Sequence, residues 1–372
     1  MRTLCWKIAC AVVLIGLANG AALQAADQYG LTKGTPDLKS IGALAFGPAG
    51  ILFAGDSQSG AVFALQTGDA SGDPSAARYD IPGLNVKIAE VLGADSQSVA
   101  IADLAVNPLS GNVYVSVMAG SQPALIRVVG NEVSRVALKD IPFAKAQLVD
   151  VPADRTEGEG PRARNPRTAT ITDLAFVDGY VLVAGMSSSA DPSAVRSIEF
   201  PFSDVKPGAS LEIYHGAHGR VENNATVRTF VPFIINGEPN VLAGFTCTPL
   251  VRFPLSELKP GEKVRGTTVA ELGNRNQPLD MIVYQREGKT WLLSANTTRG
   301  IMKINTERIG ENPGINEPIR GGGTAGQPYE RVDERDPAWK GVVQLDKLND
   351  ELAVVLVQSD GGALNLKSLP LP

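Results

Sequence analysis

A six-bladed β-propeller is the all-β fold that this sequence predicts, and three observations predict it. A strand–turn–strand unit recurs six times, with copies beginning at Ile41, Ile101, Ile171, Val227, Pro278 and Val342. The copies lie roughly 50 to 70 residues apart, near the spacing of propeller blades. Turn pairs with left-handed preference separate the first two strands of most copies, and long helical periodicity is missing after residue 25. A two-sheet sandwich would use the same strands but would not demand that one unit recur so often. Radial repetition explains the recurrence and protects the sheet edges.

The chain opens with a segment that reads as an address. Arg2 and Lys7 are basic, Ile8 to Leu17 is a short apolar run, and Leu23-Gln24-Ala25 offers a small residue before Ala26. This is the pattern of a secretory leader cleaved near Ala25, and the run falls short of the roughly 20 residues of a membrane span. The expected organisation is therefore 1–25 as signal peptide and 26–372 as one propeller domain, in the periplasm or secreted. No later stretch is long and apolar enough to span a bilayer.

Of the three cysteines, Cys5 and Cys10 fall in the leader, so Cys247 is the one thiol left and no internal disulfide is expected. Stability must then come from a core, which a hydrophobic content of 44% can supply. The net charge of −5, with scattered Lys and Arg, excludes a nucleic-acid footprint.

Strand signals are clear at Val113–Val117, Val181–Ala184 and Val354–Val357, where β-branched residues dominate. The pairs Gly111-Asn112, Asp178-Gly179, Asn236-Gly237 and Glu287-Gly288 suit tight hairpins, and Pro48-Ala49-Gly50 serves the first unit. The last unit lacks an outer strand, and residues 26–39 are expected to supply it and close the ring. Two excursions are expected, near 151–167 and 308–340, both rich in charge, Gly and Pro. Because the second is long, seven blades stay open as an alternative.

The first unit, IGALAFGPAGILFAGDSQSGAVFAL, resembles the repeats of six-bladed propellers of the NHL and SMP-30/gluconolactonase-like kind. Its strand, Gly-Pro-x-Gly turn, second strand, Gly-Asp-Ser and short third strand carry the resemblance, which is one of architecture. SMP-30-like enzymes hold calcium with a glutamate, asparagines and an aspartate at strand entrances. The resemblance implies that Asn274 or Asn276 with Asp280 forms part of such a set, whereas the first unit offers only Gly42 and Ala43 where the glutamate would stand.

Superposing the units places Ala43, Asp103, Asp173, Thr229, Asp280 and Gln344 at one position of the innermost strand. Asp103, Asp173 and Asp280 are candidate ligands for Ca²⁺ or another divalent metal, since oxygens converging from several blades suit a hard cation. The alternative is that each Asp bonds neighbouring backbone and locks adjacent blades. Both histidines of the chain, His215 and His218, sit in one entry loop with Glu222 nearby, as candidates for a metal ligand or a catalytic base. Asn274, Arg275, Asn276, Asn296 and Arg299 are candidate ligand-binding residues on the same face. Cys247, between two threonines, reads as a packed residue or a nucleophile. A c-type haem attachment motif is absent, as are the Gly-x-Ser-x-Gly elbow, the phosphate-binding loop and His-Glu-x-x-His.

Three functions fit. The first is a module binding a small molecule or protein partner at a polar central mouth. The second is a metal-dependent lactonase or hydrolase. The third, by analogy of fold, is an accessory of a periplasmic quinone or redox system.

Overall fold

The structure, a computed structural model, describes residues 27–160 and 163–372. The predicted leader lies outside these residues. Among the described residues there are six sheets, and they form a six-bladed propeller. Blades are numbered by their innermost strands in chain order: Leu44–Phe46, Val99–Val106, Asp173–Val177, Val227–Ile235, Pro278–Arg286 and Val342–Lys347.

Three of the four expected two-residue hairpins form for the expected reason, whereas Gly111-Asn112 lies in a longer loop between Val106 and Val113, with Gly111 alone at positive φ. Asp178 and Gly179, Asn236 and Gly237, and Glu287 and Gly288 all take positive φ, as a two-residue turn matched to strand twist requires. Strands such as Ile51–Asp56 and Ala61–Gln66 are buried along their whole length, because both faces of a blade pack on neighbouring blades.

The order of blades around the ring departs from their order in the chain. Six buried apolar clusters fill the six junctions. Phe53 of blade 1 packs with Leu174 of blade 3, and Leu104 of blade 2 packs with Leu356 of blade 6. Leu52 of blade 1 packs with Tyr114 of blade 2. Blade 2 therefore sits between blades 6 and 1, and the ring runs 1–3–4–5–6–2.

The segment after Gln66 produces this exchange by crossing blade 2. Its Asp69 is buried and accepts from Ser110 Oγ at 2.8 Å, Asn112 Nδ2 at 3.0 Å and Tyr114 OH at 3.1 Å. The chain then adds Asp80–Ile81 to the outer edge of blade 6 before building blade 2. It returns as Ile141–Gln147, the fourth strand of blade 1.

Ring closure therefore differs from the sequence expectation. Asp80–Ile81, not residues 26–39, completes the last blade, pairing with Leu366 and Lys367. Thr32–Gly34 instead caps the outer edge of blade 1 against Ile141–Phe143. The stretch 308–340 also carries more than an excursion: Tyr329–Arg331 is the fourth strand of blade 5, and Thr324–Gly326 caps blade 4. These strands escape sequence reading because they span two or three residues, too few for a visible alternation. One unexpected helix, Leu84–Leu92, buries Leu84 and Ile88 against blades 6 and 2 between glycine caps.

The excursion at 151–167 is pinned among its described residues. Arg167 donates to Pro152 O at 2.8 Å and to Gln58 O at 3.2 Å, and Asp154 accepts from Asn165. Among the described residues no helix is long and apolar enough to cross a membrane.

Candidate functional site

The predicted ring position is real. In four blades the pairing register shifts between Ile101 and Asp103, Val227 and Thr229, Pro278 and Asp280, and Val342 and Gln344. Such a bulge bends the strand and re-aims the side chain that follows. Asp103 Oδ2 accepts from Leu44 N of the next blade at 2.8 Å, and Asp173 Oδ2 from Phe230 N at 2.7 Å. Asp280 Oδ2 accepts from Leu345 N at 2.9 Å. The other oxygen of each takes the amide of the residue that follows it.

A fourth carboxylate, Asp346, does the same two residues further along, accepting from Val106 N at 2.7 Å. The superposition of units missed it because blade 6 carries Gln344 at the ring position. With its amide nitrogen turned inward, Gln344 donates to Asp280 Oδ2 at 3.1 Å and Asp103 Oδ1 at 2.8 Å. Asp locks thus close the junctions 2–1, 3–4, 5–6 and 6–2. Blades 1 and 4 carry Ala43 and Thr229 at the ring position. At the 1–3 junction an aromatic cluster takes over, with Phe53 packed on Phe176, Phe200 and Phe202.

The carboxyls border a channel cavity of about 410 Å³ whose walls include Phe46, Pro108, Val231, Pro232 and Val283. The four residues are half-buried at the channel wall, with their carboxylate oxygens enclosed by neighbouring backbone amides. Burial pushes Asp173 up to about 7 and Asp346 up to about 6. Burial, reinforced by the neighbouring carboxylates, holds Asp103 and Asp280 well above the usual carboxylate range.

The candidate ligand-binding residues divide. Asn276 is buried, donates to Asn296 Oδ1 at 2.9 Å, and accepts from the amides of Thr298 at 3.1 Å and Arg299 at 3.3 Å. Asn276 and Asn296 therefore shape the turn between the second and third strands of blade 5. Asn274 bonds the 308–340 stretch through its amide, at 2.9 Å from Gly322 O. Arg275 is exposed, with positive φ. Arg299 lies against Gly273, where any side chain would strike its guanidinium.

The histidines meet on the face where the inter-blade connections emerge. His215 ends the fourth strand of blade 3 and is fully buried, while the His218 side chain is 41% exposed. Glu222 holds both rings, with Oε2 2.9 Å from His215 Nδ1 and Oε1 2.8 Å from His218 Nδ1. Burial alone would raise the Glu222 carboxyl, but hydrogen bonds from His215, His218 and Arg220 outweigh it and bring it to about 2. Cys247 enters from the turn after the second strand of blade 4, its Sγ 3.8 Å from His218 Nε2. Beside them Glu271 is buried, accepts from Gly216 N at 2.6 Å, and is raised by burial to about 7. Cys247 and Glu271 carry no distinguishing local motif; only the folding of blade 4 against blade 3 brings them here.

No protein-family model matches the chain, and no curated protein matches it in sequence. Solved structures do. A proposed oxidoreductase (glucose dehydrogenase) of Thermus thermophilus is 13% identical, with a TM-score of 0.36 over 91% of this chain and 99% of that one. The PQQ-bound aldose sugar dehydrogenase of Streptomyces coelicolor is 12% identical, with a TM-score of 0.29 over 91% and 96%. The plexin A4 extracellular region is 9% identical, with a TM-score of 0.42 over 91% of this chain and 46% of that one. At these identities a likeness speaks to fold alone. Of the expected resemblance the six sheets bear out the architecture, not the NHL or SMP-30 family: the chain is a six-bladed β-propeller.

Proposed function

We propose that this protein is an exported binding module whose channel takes a small ligand bearing a cationic group. One observation carries the reading: Asp103, Asp173, Asp280 and Asp346 surround a cavity whose remaining wall is largely apolar. Carboxyls pushed toward the neutral form by burial, and at Asp103 and Asp280 also by the neighbouring carboxylates, gain most when a positive group replaces their protons. The blade locks use one acceptor site on each oxygen and Gln344 takes the second on Asp103 Oδ1 and Asp280 Oδ2, which leaves a second site on Asp103 Oδ2, Asp280 Oδ1 and both oxygens of Asp346. An amine or divalent head group at the ring, with an apolar body below it, matches these walls. Export rests on the leader signals, Arg2, Lys7 and the apolar run Ile8–Leu17.

The test is a thermal melt with putrescine or Ca²⁺ at pH 5 and pH 8. Ligand that displaces protons binds more tightly as pH rises through about 6 and about 7, the values of Asp346 and Asp173. The expected result is a clear rise in melting temperature at pH 8, a small one at pH 5, and loss of both in Asp103→Asn/Asp280→Asn. Equal shifts at both pH values, or none with either probe at pH 8, would sink the reading.

A hydrolase is the second reading, and one observation favours it. His218 is oriented by Glu222 through Nδ1 and turns Nε2 toward Cys247 Sγ, an order of nucleophile, base and orienting group. Turnover of esters or lactones that disappears in both Cys247→Ala and His218→Ala would support it. Turnover surviving both substitutions would remove it.

A further inference from the structure

The cluster at the blade 3–4 junction is separate from the channel ring, and its chemistry is different. Among the described residues, His215, His218 and Cys247 are the one group of three or more His, Cys, Asp or Glu whose ligand atoms all lie within 4.8 Å of one another. Both imidazoles give Nδ1 to the same carboxylate, Glu222, at 2.9 and 2.8 Å. A carboxylate on Nδ1 fixes the tautomer that leaves Nε2 as a lone pair, the usual outer partner of a metal-bound histidine. Both Nε2 atoms then face Cys247: that of His218 lies 3.8 Å from Sγ, and that of His215 lies 3.3 Å from the carbonyl oxygen. A ring lone pair facing a carbonyl lone pair is repulsive unless a proton or a cation lies between them. The two rings are 3.8 Å apart at their centroids.

The backbone supports the thiol's position at some cost. Cys247 and Thr248 have φ of 70° and 91°, a left-handed pair without glycine. Thr248 Oγ1 lies 2.6 Å from Cys247 O and 2.7 Å from Gly273 O and ties down the turn by donating its one proton to either carbonyl. Strain of this kind persists where surrounding structure imposes it, and sites of ligation are one such place. Two imidazole nitrogens and one thiolate form a borderline-soft donor set suited to zinc-type ions rather than to calcium.

We propose that His215 Nε2, His218 Nε2 and Cys247 Sγ bind a zinc-type divalent ion, with an open fourth position on the solvent side of His218. Small closures of the two rings and the thiol bring these atoms to the bond lengths of about 2.1 Å for nitrogen and 2.3 Å for sulfur that zinc requires. Glu222 is a positioning residue that holds both rings without touching the ion. The site does not depend on the channel.

The experiment is titration of Co²⁺ into the chelator-stripped, reduced protein, followed by Zn²⁺ displacement. The expected result is a near-ultraviolet sulfur-to-cobalt charge-transfer band that saturates at one equivalent, with visible bands of tetrahedral intensity that Zn²⁺ abolishes. Cys247→Ser should remove the charge-transfer band. His218→Ala, at an exposed position that spares the fold, should weaken binding. Glu222→Gln should keep the band and weaken affinity roughly 10- to 100-fold. Asp103→Asn should leave the spectrum unchanged, which separates this site from the channel. Absence of the band in the folded wild type, or its survival in Cys247→Ser, overturns the proposal. A proton held on both nitrogens of His215 by magnetic resonance, unaffected by added Zn²⁺, also overturns it.

Discussion

At the scale of single residues, the ring aspartates show how one side chain serves packing and charge together. Each accepts a backbone amide from the adjacent blade, and each is pushed toward the neutral form by burial. Folding raises these pKa values, so the native state holds more protons than the unfolded chain above the ordinary carboxylate value of 3.8. Their stabilising contribution is complete below that value and is lost as pH rises through about 6 for Asp346 and about 7 for Asp173. Urea unfolding at pH 5 and pH 8 should therefore give lower stability at pH 8. Asp173→Asn should flatten that difference while retaining an acceptor for Phe230 N. An unchanged pH slope in this variant would argue that Asp173 is ionised throughout. Arg196 shows the opposite logic. It is buried, pairs with Asp150 at 2.7 Å, and donates to Met186 O at 2.9 Å. Arg196→Ala strands Asp150 and should cost about 3–5 kcal/mol in unfolding free energy.

At the scale of elements, the hairpins were legible and the outer strands were not. Asn236-Gly237 announces a tight turn in two letters, because few residue pairs accept positive φ twice. A two-residue outer strand such as Asp80–Ile81 has no pattern of its own; it exists because blade 6 presents a free edge. The crossover that carries the chain there depends on Asp69, whose carboxylate answers three buried or half-buried donors of blade 2. Asp69→Ala leaves Ser110, Asn112 and Tyr114 short of an acceptor, an expected loss of about 2–4 kcal/mol by thermal or urea melt. A loss below about 0.5 kcal/mol would mean that water replaces the carboxylate there.

At the scale of the whole molecule, closure comes from an internal segment near the start of the described chain. Blade 6 is finished by residues that precede blade 2, so the C-terminal blade and the N-terminal third of the chain stabilise each other. Ile81 is buried in the cluster shared by blades 6 and 2. Ile81→Asp should cost about 3 kcal/mol or more and open the ring first at that junction. Hydrogen exchange would read this as faster exchange in Leu364–Pro370 than in the strands of blades 3 and 4. Uniform acceleration in every blade would show instead that the ring opens as one unit.

The repeat by itself determined that the chain forms a propeller, that six units recur along it, and which residues share the ring position. Local pattern suffices there, because each blade needs the same alternation and the same turn chemistry. The tertiary structure alone decided the order of blades, the closing strand, and the use of the ring carboxylates as locks between blades. It also decided that Cys247 stands beside both histidines while Glu222 holds their rings. These depend on contacts between residues far apart in the chain, made by packing blade against blade, and a single sequence carries no local signal for a neighbour that only folding supplies.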